Sequence, residues 1–232
     1  MDAPGFEARD RRAAQVLAAA AETAGLRRIV YLSGLQPSDG AGSAHLASRR
    51  EVGEVFLDCG VPAAVLQAGV VVGAGSVSFE LIRYTAEAGA AFPVAPAPDR
   101  AWNRVQPIAV GDLLHFVTAA LRLPASTNRT FDVGGPDVLT YQGLVTGYAR
   151  AAGLRRPLAL PVPIAAPRLT ARLLEALTPN GRHLTGPLLE STAYDLVCRE
   201  DDLTALVGPP PGGPTPYAAA VAHALRERRA AS

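Results

Sequence analysis

Apolar residues recur near the helical period from Phe6 through Ala13, Val16, Leu17 and Ala20, and Gly25 stands where a left-handed residue closes a helix, which predicts a first helix over residues 6–24. Arg28-Ile29-Val30-Tyr31-Leu32-Ser33 is then a short β-branched and aromatic run stopped by Gly34, the composition of a buried strand. A polar, glycine-containing loop over residues 36–42 leads to a second helix from about His45 to Asp58, with Leu46, Val52, Val55 and Phe56 on its apolar side. The order then repeats. Ala63–Leu66 and Gly69–Val72 form a hydrophobic strand region, Gly73-Ala74-Gly75 turns it, and Ser76 is a candidate N-cap for a helix to about Ala88. The proline-rich stretch from Phe92 to Pro98 interrupts the regularity. Beyond it lie a strand over residues 104–108, a helix over 110–121, a strand over 129–133 ended by Gly134-Gly135-Pro136, and a helix capped by Thr140 and running through Ala152. Such alternation predicts an α/β fold with a mainly parallel sheet and flanking helices.

The last 75 or so residues are less regular. Residues 157–163 suit an edge strand because prolines bracket them. Helices are predicted near 165–177, 183–192 and 217–228, the last preceded by a loop over 208–216 with five prolines and three glycines. No solenoid-type repeat and no clean linker divides the chain.

Composition narrows the chemistry. The 232 residues suffice for one domain with a core, or one domain with a small appendage. All 22 cationic side chains are arginine, which excludes a Schiff-base lysine, a phosphate-loop lysine and the lysine of a Tyr-x-x-x-Lys site. The net charge of +1 suggests no nucleic-acid partner. Cys59 and Cys198 are too few for a disulfide framework, and four scattered histidines do not make a metal cluster, so no metal site is expected. With no membrane span and a polar, acidic start unlike a signal peptide, a cytoplasmic protein is expected.

Two local features could carry chemistry. Gly73-x-Gly75-x-x-Ser78, after a strand and before a helix, resembles a phosphate-binding turn, yet Ser78 replaces the third glycine and no ribose-binding acid follows at the expected distance. A plain strand-to-helix turn is the better reading. Ser33 ends a predicted parallel strand, the side of an open α/β sheet where ligands gather, and its hydroxyl can orient a carbonyl or alcohol; it can equally be a turn residue before Gly34. No Gly-x-Ser-x-Gly elbow surrounds it, so a serine hydrolase has little support.

Several ordered blocks carry a resemblance. They are Arg28-Ile29-Val30-Tyr31-Leu32-Ser33-Gly34-Leu35, His45-Leu46-Ala47-Ser48-Arg49-Arg50-Glu51-Val52-Gly53 and Leu66-Gln67-Ala68-Gly69-Val70-Val71-Val72-Gly73, followed by Gln106–Asp112 and Phe131–Tyr141. Together, over about residues 6–205, they resemble the atypical, extended short-chain dehydrogenases/reductases, in the NmrA-like or nucleoside-diphosphate-sugar-epimerase-like style. The resemblance implies a partial Rossmann-like fold: residues 1–155 as the C-terminal half of an NAD(P)-binding domain, and 156–232 as an irregular, helical substrate-side region packed on it. The family opens with a strand and a Gly-x-x-Gly-x-x-Gly turn that holds the dinucleotide. This chain starts at the helix after the family's fourth strand, which implies that the glycine motif and about half the sheet are not encoded here.

The resemblance also assigns residues. Ser33 matches the family's serine, and the Tyr-x-x-x-Lys pair falls on His45-x-x-x-Arg49, with Ser48 beside Arg49. Arginine keeps the charge of lysine but is bulkier and does not deprotonate, whereas histidine can move protons near neutrality. At i and i+4 the two share one helix face; the alternative is a degenerate site with both residues merely solvated. Gln67, Ala68, Gly69 and Val70 correspond to the loop beside the nicotinamide. Phe79, Arg83 and Tyr84 resemble residues lining a substrate cavity, Arg83 either pairing an anionic substrate or lying on the surface. Trp102 either covers the pocket or packs in the core.

The cofactor implied is NAD(P), although a chain without the glycine turn is not expected to bind it tightly alone. The expected function is therefore an oxidoreductase or epimerase-like protein acting on a small molecule, or a non-catalytic ligand- or partner-binding descendant. The strand at 28–33 would be left with an open edge, and edges invite pairing, so a homodimer or a partner chain is expected there.

Overall fold

The computed structural model describes residues 5–38, 42–90, 94–155, 158–162 and 192–230, with the backbone alone for 94–100 and 158–162. Its centre is a parallel sheet of three strands, β1 (Ile29–Gly34), β2 (Ala63–Ala68) and a strand at Arg129–Val133, in the order β1, β2, Arg129–Val133. Ser33 of β1 stands opposite Gln67, which in turn stands opposite Asp132. All six residues of β2 are buried, as a central strand requires.

The two-residue period of β2 divides the core. Ala63 packs under α1 (Phe6–Thr23) and α2 (Ala44–Leu57), against Ala14, Ala18, Val52 and Phe56. Ala64, Leu66 and Ala68 face the opposite layer, which holds Leu113, Phe116 and Phe131. Gly53 of α2 has a reason to lack a side chain, since a Cβ there would lie 3.1 Å from Val65. Helix α2 is capped by Ser43, whose hydroxyl accepts from the Leu46 N–H at 3.2 Å.

After β2 the chain forms β3 (Val71–Val72) and α3 (Val77–Ala90). The proline-rich stretch expected to interrupt the regularity instead contains a strand, β4 (Val94–Pro98). The expected strand at 104–108 is split into β5 (Arg104–Val105) and β6 (Ile108–Ala109), because β6 pairs with β3 while β5 turns away. Helix α4 (Val110–Ala120) follows, then β7 (Arg129–Val133), β8 (Leu139–Thr140), α5 (Tyr141–Ala151) and β9 (Leu158–Val162). β5 pairs antiparallel with β8, and β9 pairs parallel with β4 in what is, among the described residues, a two-stranded ribbon, where prolines are tolerated. Helices α6 (Asp202–Val207), which the hydrophobic pattern does not predict, and α7 (Tyr217–Ala230) complete the described elements. The helices expected at 165–177 and 183–192 lie outside the described residues, except for Thr192 in a turn.

A second apolar cluster joins α3, α5 and α7 through Phe79, Leu144, Tyr148, Tyr217 and Val221. Its meeting with the carboxyl end of β2 positions the site. No described helix is long and apolar enough to cross a membrane.

Candidate substrate cavity

A cavity of about 160 Å³ opens at the carboxyl ends of β1 and β2. Gly34 and Leu35 form one wall, Ala68, Gly69 and Val70 the floor, and His45 and Leu46 the start of α2. Ser78, Leu81 and Ile82 of α3 face them, and Tyr141 and Leu144 of α5, Val105, Thr192 and Leu196 make up the remainder of the described lining. Two close backbone approaches shape this wall. A Cβ on Gly69 would fall 2.2 Å from the Gln106 carbonyl oxygen, and one on Gly135 would fall 2.5 Å from that of Pro107. The segment between them is tied by Ile108 N–H to Val70 O at 2.9 Å, Gly135 N–H to Pro107 O at 2.8 Å and Gln106 N–H to Leu196 O at 3.0 Å.

The three residues matched to the family's catalytic groups are divided. His45 lines the cavity. Ser33 and Arg49 come together outside its lining, in a polar cluster against α1. The buried Ser33 hydroxyl donates to the Arg49 carbonyl at 3.3 Å, while the Arg49 guanidinium is paired with Asp10 of α1. Ser48, also buried, donates to the same Asp10 carboxylate at 3.4 Å. Tyr31 extends from β1 into this cluster with its ring against Phe56. Burial, chiefly, raises its pKa, with nearby Asp10 adding to the rise and Arg49 opposing it. The Tyr31 hydroxyl and Arg49 Nε are buried with no hydrogen-bond partner among the described residues.

The residues matched to the nicotinamide loop are also divided. Ala68, Gly69 and Val70 line the cavity. Gln67 is buried and turned elsewhere, its Oε1 accepting from Arg199 Nη2 at 3.1 Å. Arg199 is held in turn by Asp132, at 3.0 Å from Nε and 3.1 Å from Nη2.

Of the residues matched to a substrate cavity, Phe79 is fully buried against Tyr148, with ring centroids 5.6 Å apart. Arg83 is paired with Glu80 at 2.9 Å and Glu87 at 2.6 Å, and its guanidinium stacks over Tyr84. Trp102 is 47% exposed. Helix α3 therefore meets the cavity through Ser78, Leu81 and Ile82 rather than through Phe79 and Arg83.

Tyr141 is one of the cavity residues to which the sequence assigns no role, although it closes one of the blocks that carry the resemblance. Burial, chiefly, and the nearby Asp195 carboxylate raise its pKa, so its hydroxyl stays protonated at neutral pH. Its position just after Thr140, which caps α5 by accepting from Gly143 N–H at 2.9 Å, was the one available signal.

The described residues do not fit a whole dinucleotide. Gly73 is needed for packing, since a Cβ there would lie 2.6 Å from Val110 Cγ1, and Gly75 is needed for its φ of +80°. The turn also uses its own groups, Ser76 N–H donating to Gly73 O at 3.2 Å and Ser76 Oγ to Val71 O at 2.7 Å. Among the described residues no arginine lines the cavity, whose volume is about half the smallest usual for drug-sized ligands, roughly 300 Å³. Among the same residues no cluster of His, Cys, Asp and Glu could hold a metal.

The sequence matches no protein-family model and no curated protein. Solved structures do share the fold. A UDP-galactose 4-epimerase aligns with 94% of this chain and 68% of its own at 17% identity and a TM-score of 0.60. The UDP-glucose 4-epimerase of Thermus thermophilus, solved with NAD, aligns with 94% of this chain and 69% of its own, at 15% identity and a TM-score of 0.63. A nucleoside-diphosphate-sugar epimerase from Staphylococcus aureus aligns over 90% and 69%, at 12% identity and a TM-score of 0.65. The chain thus has the Rossmann-like α/β fold of these epimerases and spans about two thirds of their length.

Proposed function

We propose that this chain forms the substrate side of an oxidoreductase- or epimerase-type site, binding a small carbonyl or alcohol, and that it does not hold NAD(P) tightly by itself. The observation that carries the reading is the cavity at the carboxyl ends of β1 and β2, where ligands of open α/β sheets gather. The NAD-bound neighbour of like fold supports a dinucleotide-linked ancestry. The self-satisfied turn at Gly73–Ser76 supports weak cofactor binding.

In this reading His45 moves a proton to or from the ligand oxygen, the task imidazole performs near neutrality. Ser33 and Arg49 act from behind it. Ser33 ties the end of β1 to the Arg49 carbonyl, and Arg49 ties α2 to Asp10, so together they hold the helix that carries His45. Calorimetric titration with NADH and NADPH tests the cofactor half of the proposal. No binding in the micromolar range is expected, and micromolar binding by this chain would overturn it.

A second reading, a partner-binding module, is favoured by the open edge of β1. Among the described residues β1 pairs only with β2, and Leu32 on β1 is 43% exposed, with Val16 and Leu17 of α1 more exposed still. A second copy of this chain is the occupant proposed, because a two-fold axis would pair the same edge and the same apolar residues with themselves. The arginines 9, 11 and 12 near the start of α1 and Glu22 near its end suit an antiparallel pairing of the two helices. A dimer mass in light scattering is the expected result, and a monomer at high concentration would contradict it.

A further inference from the structure

We infer that the cavity takes an uncharged carbonyl compound or alcohol of about benzene's size, gripped by the Tyr141 hydroxyl opposite His45, and that it rejects nucleoside-diphosphate sugars. The inference rests on the reading of this cavity as the substrate side, and it names the substrate class.

Size comes first. An apolar protein cavity of about 150 Å³ holds one benzene, and this one measures about 160 Å³. A nucleoside diphosphate joined to a hexose is several times larger. Chemistry agrees with size. Leu35, Val70, Ile82, Leu144 and Leu196 give the described lining its character, and the polar side chains among the described lining residues are His45, Ser78, Tyr141 and Thr192. A diphosphate is recognised by arginine or lysine side chains, and among the described residues none lines the cavity. Arg83, the arginine on the adjoining helix, is already engaged by two carboxylates, and its side chain is only 13% exposed.

Orientation comes from Tyr141. Tyr141 lines the cavity, and its burial with the nearby Asp195 carboxylate keeps its proton in place, so in this reading its hydroxyl donates to a ligand oxygen. His45 and Tyr141 stand on elements almost one hundred residues apart in sequence, yet line one cavity. A carbonyl oxygen bound between them would meet one fixed donor and one titratable group, while a ring or branched alkyl group fills the apolar remainder. The fold neighbours crystallised with UDP-sugars and this chain would therefore differ in substrate class while sharing a scaffold.

The test uses the full chain with benzaldehyde, benzyl alcohol, toluene, UDP and UDP-glucose as probes, followed by saturation-transfer NMR and titration. Benzaldehyde and benzyl alcohol should bind, and UDP and UDP-glucose should not. Tyr141→Phe should weaken benzaldehyde about tenfold, the worth of one hydrogen bond, and leave toluene unchanged. Ser78→Phe, which fills the cavity from α3, should abolish binding of all three aromatics, with circular dichroism checking that each variant folds. Tighter binding of UDP-glucose than of benzaldehyde would overturn the inference, as would equal loss of toluene and benzaldehyde in Tyr141→Phe. Micromolar NADH binding together with benzaldehyde binding would defeat the cofactor reading alone, and absence of both would defeat this inference alone.

Discussion

Gly69→Ala is the substitution that best measures how rigidly the cavity wall is built. The added Cβ would sit 2.2 Å from the Gln106 carbonyl oxygen, so one backbone must move by about 1 Å to restore ordinary contact. That oxygen belongs to a segment held on both sides, by Ile108 N–H to Val70 O, Gln106 N–H to Leu196 O and Gly135 N–H to Pro107 O. Overpacking alone costs about 1–3 kcal/mol, and loosening two of those hydrogen bonds adds about 1 kcal/mol each. A loss of about 3–5 kcal/mol follows, or roughly a 10 °C fall in Tm for a chain of this size.

Two controls separate close approach from glycine's other uses. Gly75→Ala meets open space but keeps φ at +80°, and should cost about 1–2 kcal/mol. Gly111→Ala, exposed in the first turn of α4 and free of any neighbour, should stabilise by about 0.5 kcal/mol. Urea unfolding followed by circular dichroism reads all three. A loss below about 1 kcal/mol for Gly69→Ala, or no difference between positions 69 and 75, would refute the packing argument.

Other consequences are equally direct. Arg28 donates to the carbonyls of Thr127, Leu123 and Pro124 at 3.0, 3.2 and 2.6 Å, tying β1 to the end of α4. Arg28→Met should therefore cost about 1–2 kcal/mol in urea unfolding, and Arg28→Lys should recover only part of it. Leu144→Ala removes a fully buried side chain at the cavity wall, costing about 2–5 kcal/mol while admitting naphthaldehyde; unchanged ligand selectivity would argue that Leu144 does not limit the cavity. Burial pushes the Cys198 thiol and the Tyr148 phenol up to about 12, and raises Tyr217 further. Each binds its proton more tightly when folded, so this stability is complete below the ordinary values near 9 and 10 and is lost as pH climbs through the folded ones. Thermal melting should hold steady to about pH 9 and fall from there towards about pH 12; a flat profile across that range would contradict those environments.

The parallel core was legible because periodicity reports burial directly. β1, β2 and β7, with α2 and α4, lie within a few residues of the expected spans. β4 was not legible, since its prolines normally argue against a strand and only its pairing with β9, some sixty residues on, explains it. The site shows the same division. His45 was singled out by the resemblance, which sets it and Arg49 on the Tyr-x-x-x-Lys positions, and the i,i+4 spacing put Arg49 on its face of the helix. Spacing could not reveal that Asp10, 39 residues upstream, would draw the guanidinium towards α1. Along α3 the resemblance chose Phe79 and Arg83, whereas Ser78, Leu81 and Ile82 reach the cavity, a rotation that only tertiary packing decides. Tyr141 escaped notice for the same reason, being brought to His45 by the return of the chain through β8.

The central claim is that a small uncharged carbonyl compound occupies the cavity between β2, α3 and α5. Intermolecular nuclear Overhauser effects between benzaldehyde and the methyl-labelled protein measure this most directly. Contacts to the methyl groups of Val70, Ile82, Leu144 and Leu196, with none to Val16 or Leu17 on α1, are the predicted result. Contacts confined to the α1 surface, or none at saturating ligand, would contradict it.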